Sequence, residues 1–130
     1  MAKVNEMKNI LKFCSIAEIT TSFALIIFPS VAIHLLFGTD VNEIGILITR
    51  FAGISLLSFG IVCWPKKEFI HSVWAMFIYN TLAAIFFIYI GLDNTFKGIL
   101  LWPVAVLHFG LGFLLIRGLL ENNSKRRLEN

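Results

Sequence analysis

Four residues with polar side chains lie inside long apolar stretches of this chain: Glu18, Arg50, Asn80 and His108. Carboxyl and imidazole groups transfer protons, so Glu18 and His108 would form an acid–base pair if they met. Arg50 would hold an anionic or carbonyl oxygen, and Asn80 can both donate and accept hydrogen bonds. Because such groups cost free energy inside a membrane, they are usually functional there.

The apolar stretches around these residues predict membrane-spanning helices. A helix needs about 20 residues to cross the ~30 Å hydrocarbon core, and each stretch is about that long. Apolar and polar residues do not alternate along them, which argues against the strands of an outer-membrane barrel. The predicted helices cover about 10–28, 44–64, 69–92 and 98–120.

The composition supports the same fold class. Of the 130 residues, 58% are hydrophobic and 15% are charged, too few charges to cover the surface of a small soluble domain. The sequence therefore predicts one all-α domain over 1–127, a polytopic four-transmembrane-helix bundle. Residues 128–130 resemble the remnant of an expression tag and are left out of the fold.

Helical rise places the four polar residues at similar depths. Glu18 would lie about 12 Å from the inner boundary, Asn80 and His108 about 15 Å deep, and Arg50 about 10 Å below the outer boundary. Small residues at helical spacing accompany them, which predicts that all four side chains face the interior. Two interpretations follow: a buried Glu18–Arg50 ion pair with Asn80 and His108 bonded around it, or a cavity that binds the polar head of a lipophilic ligand.

The distribution of charge predicts the orientation. Basic residues cluster before helix 1, between helices 2 and 3, and after helix 4, which places both termini in the cytoplasm. The net charge of +3 follows from this bias and requires no nucleic-acid partner. The basic residues are Lys3, Lys8, Lys12, Lys66, Lys67, Lys125, Arg126 and Arg127, and the opposite loops carry Asp40, Glu43 and Asp93.

Turn residues predict where the helices stop. Pro29 breaks or kinks helix 1, and the segment Val31–Phe37 is too short to span. That segment is predicted either to extend a tilted helix 1 or to lie amphipathically at the outer interface. Thr39–Glu43 supplies N-cap candidates for helix 2, and Gly91 is a predicted C-cap of helix 3.

The remaining candidate ligands give weaker signals. His34 and His71 are predicted to lie at the interfaces, and the depth of His71 differs from that of His108 by about 14 Å, which argues against bis-histidine haem. No metal-binding motif occurs, so no metal and no cofactor is expected. Cys14 and Cys63 are predicted to be free thiols, with a redox pair as the minority interpretation.

Several segments together resemble a family of small bacterial four-helix membrane proteins that are loosely similar to DoxX-type proteins. The resemblance implies a four-helix fold in a bacterial plasma membrane, and it implies no particular activity. The segments are Phe28–Ser30, Leu36–Gly38, Arg50–Gly60, Cys63-Trp64, Tyr79-Asn80 and Leu101–Pro103 through His108.

Three functions remain open at this point, and catalytic residues are unknown. In the first, the polar layer binds a quinone, an isoprenoid or a lipid head. In the second, Glu18 drives a small proton-coupled transporter, although Arg50 would largely neutralise it. In the third, the protein is a non-enzymatic accessory subunit that docks through Gly45, Thr49 and Gly53. The expected partners are membrane lipids, a lipophilic small molecule and a second copy of the chain.

Overall fold

Five helices make up the part of the chain that the structure describes, which is residues 2–93 and 95–128, with side chains from 4 to 121. This computed structural model contains no strand within those limits. The helices are α1 (Ala2–Ile27), α2 (Pro29–Phe37), α3 (Glu43–Val62), α4 (Ile70–Leu92) and α5 (Leu101–Leu128). Four of them, α1, α3, α4 and α5, are long and apolar enough to cross a membrane. The predicted all-α fold is confirmed, and the protein is a multi-pass membrane protein.

The first and last helices extend beyond their predicted bounds. The first helix was predicted to begin at about residue 10 and begins at Ala2, because Met7 packs into the core one turn before Leu11. The last helix starts at Leu101 and runs to Leu128. Glu129 and Asn130 of the suspected tag remnant lie outside the described residues, as do the side chains of the basic residues at 3 and 125–127.

The short segment after α1 is a helix of its own, so the expectation that it extends helix 1 is wrong, and its place at the outer interface stays a prediction. Helix 1 ends before Pro29, as predicted, and Pro29 also starts α2, because proline has no N–H to donate and its ring fixes a helical φ. Gly38 ends α2 with φ 69°, a left-handed conformation that suits glycine, and its N–H donates to the His34 carbonyl at 2.8 Å.

Two predicted caps have opposite outcomes. Asn42 caps α3 as expected, since its side chain accepts a hydrogen bond from the Gly45 N–H at 2.8 Å. The prediction of a C-cap at Gly91 is wrong, because α4 continues through Gly91 to Leu92. Gly91 is buried there under the Trp102 ring, and an added Cβ would lie 3.0 Å from Trp102 Cζ2. It is therefore a packing glycine.

The spanning helices form two pairs, α1 with α3 and α4 with α5. Glycines bring the first pair close together: a Cβ on Gly53 would lie 3.0 Å from the Ser22 carbonyl oxygen, and one on Gly60 would lie 3.2 Å from that of Ser15. Such backbone approach is a usual way for helices to associate in lipid, where the hydrophobic effect does not drive association.

The two pairs join at one end of the bundle, which we call the core end. A buried apolar cluster there takes residues from the start of α1, the turn after α3, the start of α4 and the second half of α5. At the opposite end, where α2 lies, α3 and α4 do not pack along each other within the described residues. The cluster consists of Met7, Leu11, Cys14, Cys63, Val73, Met76, Leu111, Leu115 and Leu119.

The small residues on α3 that were predicted as a docking face for a partner instead pack against other residues of the same chain. Thr49 and Gly53 are buried, and a Cβ on Gly53 would lie 2.8 Å from Ile26 Cγ1 of α1. Gly45 meets Val41 and Asn42 of its own chain. The prediction of this docking face is therefore wrong, because α1 already covers it.

The close packing predicts that Gly53→Leu destabilises the fold. Inserting a side chain into this contact should lower the free energy of unfolding by about 1–3 kcal/mol, because backbone lies behind it. The measurement is unfolding in mixed micelles. Gly110→Leu is the matched control, since nothing lies within 4 Å of a Cβ there. Equal losses in the two variants would contradict the packing.

Candidate functional site

Three of the four predicted polar residues reach the bundle interior. Glu18, Asn80 and His108 are 3%, 0% and 8% exposed, and they come from α1, α4 and α5. Arg50, on α3, is exposed. The prediction that Arg50 faces the interior is wrong, and the described side chains contain no Glu18–Arg50 ion pair.

The rotation of α3 explains the position of Arg50. Its contact face is formed by Thr49, Gly53 and Gly60. At 100° per residue, Arg50 lies about 60–80° from the two glycines, beyond the edge of that face. A helical Cα–Cβ bond tilts towards the N-terminus of its helix, so Arg50 leans towards the membrane surface at the α2 end, where its guanidinium can snorkel to headgroups.

Asn80 and His108 form a hydrogen bond between α4 and α5. His108 Nδ1 lies 2.9 Å from Asn80 Oδ1, while Asn80 Nδ2 donates to the Met76 carbonyl at 2.8 Å. Because the amide nitrogen is used by Met76, the amide oxygen faces His108 and must accept. Nδ1 therefore carries the proton, and Nε2 of the neutral ring is left as an acceptor.

Tyr79 connects the two helix pairs, and the sequence interpretation did not include it in the site. The Tyr79 side chain lies beside that of Glu18, close enough for the phenol hydroxyl to interact with the carboxyl. The Tyr79 ring packs against Phe59 at 5.1 Å and edge-on to His108 at 5.7 Å between ring centroids. A signal was present in the sequence: tyrosine usually lies at membrane interfaces, and this one is at mid-span.

Aromatic rings enclose the imidazole of His108. Phe87 stacks parallel to it, with 5.7 Å between centroids and 9° between planes, while Tyr79 meets it at 82°. These contacts and the Asn80 bond fix the orientation of the ring. His108 is thus held by three residues of α4, and its Nε2 has no partner among the described side chains.

The site has hydrogen-bonding capacity that the protein itself does not use. Among the described residues, Ser15 Oγ is the one fully buried side-chain polar atom that has no hydrogen-bond partner. His108 Nε2 also has no partner, but it is not fully buried, so a small polar group can contact it. Nε2 can accept a hydrogen bond or a proton, and Glu18 can exchange a proton nearby.

The other residues singled out in the sequence lie outside this site or next to it. His34 pairs with Asp40 at 3.5 Å on the surface, and His71 is exposed. Cys14 and Cys63 are buried free thiols. Within the described part of the chain, no three His, Cys, Asp or Glu side chains form a group that could hold a metal ion.

Comparison of the chain with protein-family models, with curated proteins and with solved structures finds no match. The chemistry of the site therefore has to be argued from its own residues.

The Asn80 contact predicts the tautomer of His108. At neutral pH, ¹⁵N NMR of the labelled histidine side chains should show His108 protonated at Nδ1, because Asn80 Oδ1 can only accept a hydrogen bond. In Asn80→Leu, the ratio of the two His108 tautomers should shift towards that of a free imidazole. The exposed His71 serves as the internal reference. An Nε2-protonated His108 in the unsubstituted protein would contradict the assignment.

Proposed function

We propose that this protein binds the polar head of a lipophilic molecule, such as a quinone, an isoprenoid alcohol or a lipid, beside Glu18, Tyr79 and His108. The observation that carries the proposal is the reachable, unpartnered Nε2 of His108 in the middle of a membrane span. We place the protein in a bacterial plasma membrane with cytoplasmic termini and relate it to DoxX-type proteins.

The energetics of the membrane interior support a ligand. A polar group without a hydrogen bond costs several kcal/mol in hydrocarbon. Glu18 has the Tyr79 hydroxyl beside it, and His108 has one side-chain hydrogen bond, to Asn80. A hydroxyl on the ligand could donate to Nε2 and offset part of the remaining cost, which fits an alcohol or a hydroquinone.

The geometry narrows which residues would take part. Glu18 and His108 are the acid–base candidates if a reaction occurs, and Tyr79 is oriented between them. Arg50 has no role in binding the head, because it is exposed on another face of α3.

One observation also favours the second candidate function, proton-coupled transport. The objection to it was that Arg50 would neutralise Glu18, and the two side chains are not paired. Glu18 is then a buried carboxyl that is available to exchange a proton with a substrate. Transport and simple binding differ in a liposome assay, since only transport gives uptake that is driven by a pH gradient and abolished by Glu18→Gln.

Native mass spectrometry of the detergent-purified protein tests the proposed binding. Unsubstituted protein should retain a reproducible extra mass, and His108→Phe should lose it while keeping the ring that packs on Phe87 and Tyr79. Arg50→Gln, the control for a polar residue outside the site, should keep the mass. Bare unsubstituted protein, or loss in Arg50→Gln alone, would contradict the proposal.

A further inference from the structure

The two helix pairs are closed at the core end and separate towards the α2 end. On α3, Phe59 meets Tyr79 of α4 and is half-buried. Ala52 lies two turns from Phe59 on the same face of α3, about 10 Å nearer the α2 end, and it is exposed. On α4, Ala83 is half-buried and Phe86 is 53% exposed. Beyond the Phe59–Tyr79 contact, α3 and α4 do not pack on each other within the described part of the chain, and the next side chains along each helix are open. We call this unpacked interval between α3 and α4, on the α2 side of Tyr79, the gap.

A second set of contacts covers the interior at the α2 end. Phe37 of α2 packs against Phe87 and Phe96, with centroid distances of 6.4 and 5.5 Å. The Phe37 carbonyl accepts from the Lys97 N–H at 3.1 Å, which ties α2 to the loop before α5.

The same loop is held against α2 at two further points. The Leu35 carbonyl accepts from the Leu100 N–H at 2.9 Å. Gly98 is buried against the Leu36 backbone, and a Cβ at Gly98 would collide with it. Together with the Phe37 contact to Phe87, the ring that stacks on His108, these bonds place α2 over the end of the bundle interior.

The gap between α3 and α4 is open, whereas α2 lies over the end of the bundle. We therefore propose that the ligand comes from the hydrocarbon phase, passes laterally between α3 and α4, and leaves its apolar tail in that gap. The inference rests on the proposed function, and it narrows the ligand class to a membrane-dissolved amphiphile with an apolar chain and a small hydroxyl-bearing head.

The residues along the gap fit an apolar tail. Ala52 is small, Phe59 and Phe86 present rings, and no charged side chain lies among them. Ser55, one turn from Ala52 and Phe59, uses its hydroxyl on the Phe51 carbonyl at 3.0 Å. Charged Arg50 lies at the opposite edge of α3 from Phe59, so the gap stays apolar along its α3 side.

The test is photolabelling in phosphatidylcholine liposomes, with a sixteen-carbon alcohol bearing a diazirine as the probe. Ala52→Trp should narrow the gap about two turns away from Tyr79 without touching the head site. At a probe concentration well below saturation, the extent of labelling should then fall by roughly tenfold, because the indole fills the space in which the tail would lie.

Two controls separate the inference from the function on which it rests. Ser58→Trp adds the same indole at another small, exposed position of α3, about 100° around the helix from Phe59, and should be labelled as much as the unsubstituted protein. If Ala52→Trp is also labelled as much while His108→Phe abolishes labelling, lateral access is wrong and head binding stands. If His108→Phe labels as well as the unsubstituted protein, the binding proposal fails, and the access inference fails with it.

Discussion

The architecture depends on one constraint: a carboxyl in the middle of a membrane span must find its hydrogen bonds inside the protein. Glu18 meets this constraint because α1 packs along α3 and also contacts the pair formed by α4 and α5. On one side Gly60 lets α3 approach so closely that an added Cβ would lie 3.3 Å from Glu18 Cβ. On the other side lies Tyr79 of α4, whose hydroxyl is placed to donate to the carboxyl. Placing Glu18 thus also fixes how α3 and α4 stand around α1.

The packing is unequal along the membrane normal. At the core end, apolar side chains such as Leu11, Met76 and Leu115 are fully buried and join the pairs. Towards α2, the facing residues on α4, including Ala83 and Phe87, are only half-buried. Because Leu101 and Ala105 of α5 are buried at this end, the looser packing is on the side of α3 and α4, where a membrane-dissolved ligand would enter.

The sequence was sufficient for the features that depend on local chemistry. Long apolar stretches predicted the four spans, Pro29 predicted the end of α1, and Asn42 predicted the cap of α3. Glu18, Asn80 and His108 could be predicted as interior residues because the cost of exposing them to lipid is large.

The features that depend on the rotation of one helix against another could not be predicted. Gly53 and Gly60 determine the face of α3 that meets α1, and Arg50 lies just beyond it. Tyr79 was missed because its role depends on the distance between α1 and α4, and Gly91 because the Trp102 ring comes from another helix. These outcomes are decided by tertiary contacts that hydropathy does not encode.

Double-mutant cycles around Glu18 test the central claim most directly. Free energies of unfolding would be measured for Glu18→Gln, Tyr79→Phe and Arg50→Gln, singly and in pairs. The structure predicts a coupling between Glu18 and Tyr79 above about 0.6 kcal/mol, the average for hydrogen bonds between membrane helices, and up to about 1.7 kcal/mol, the largest value measured. It predicts additivity within about 0.5 kcal/mol for Glu18 and Arg50. Strong coupling of Glu18 to Arg50, with none to Tyr79, would contradict the account and restore the buried ion pair.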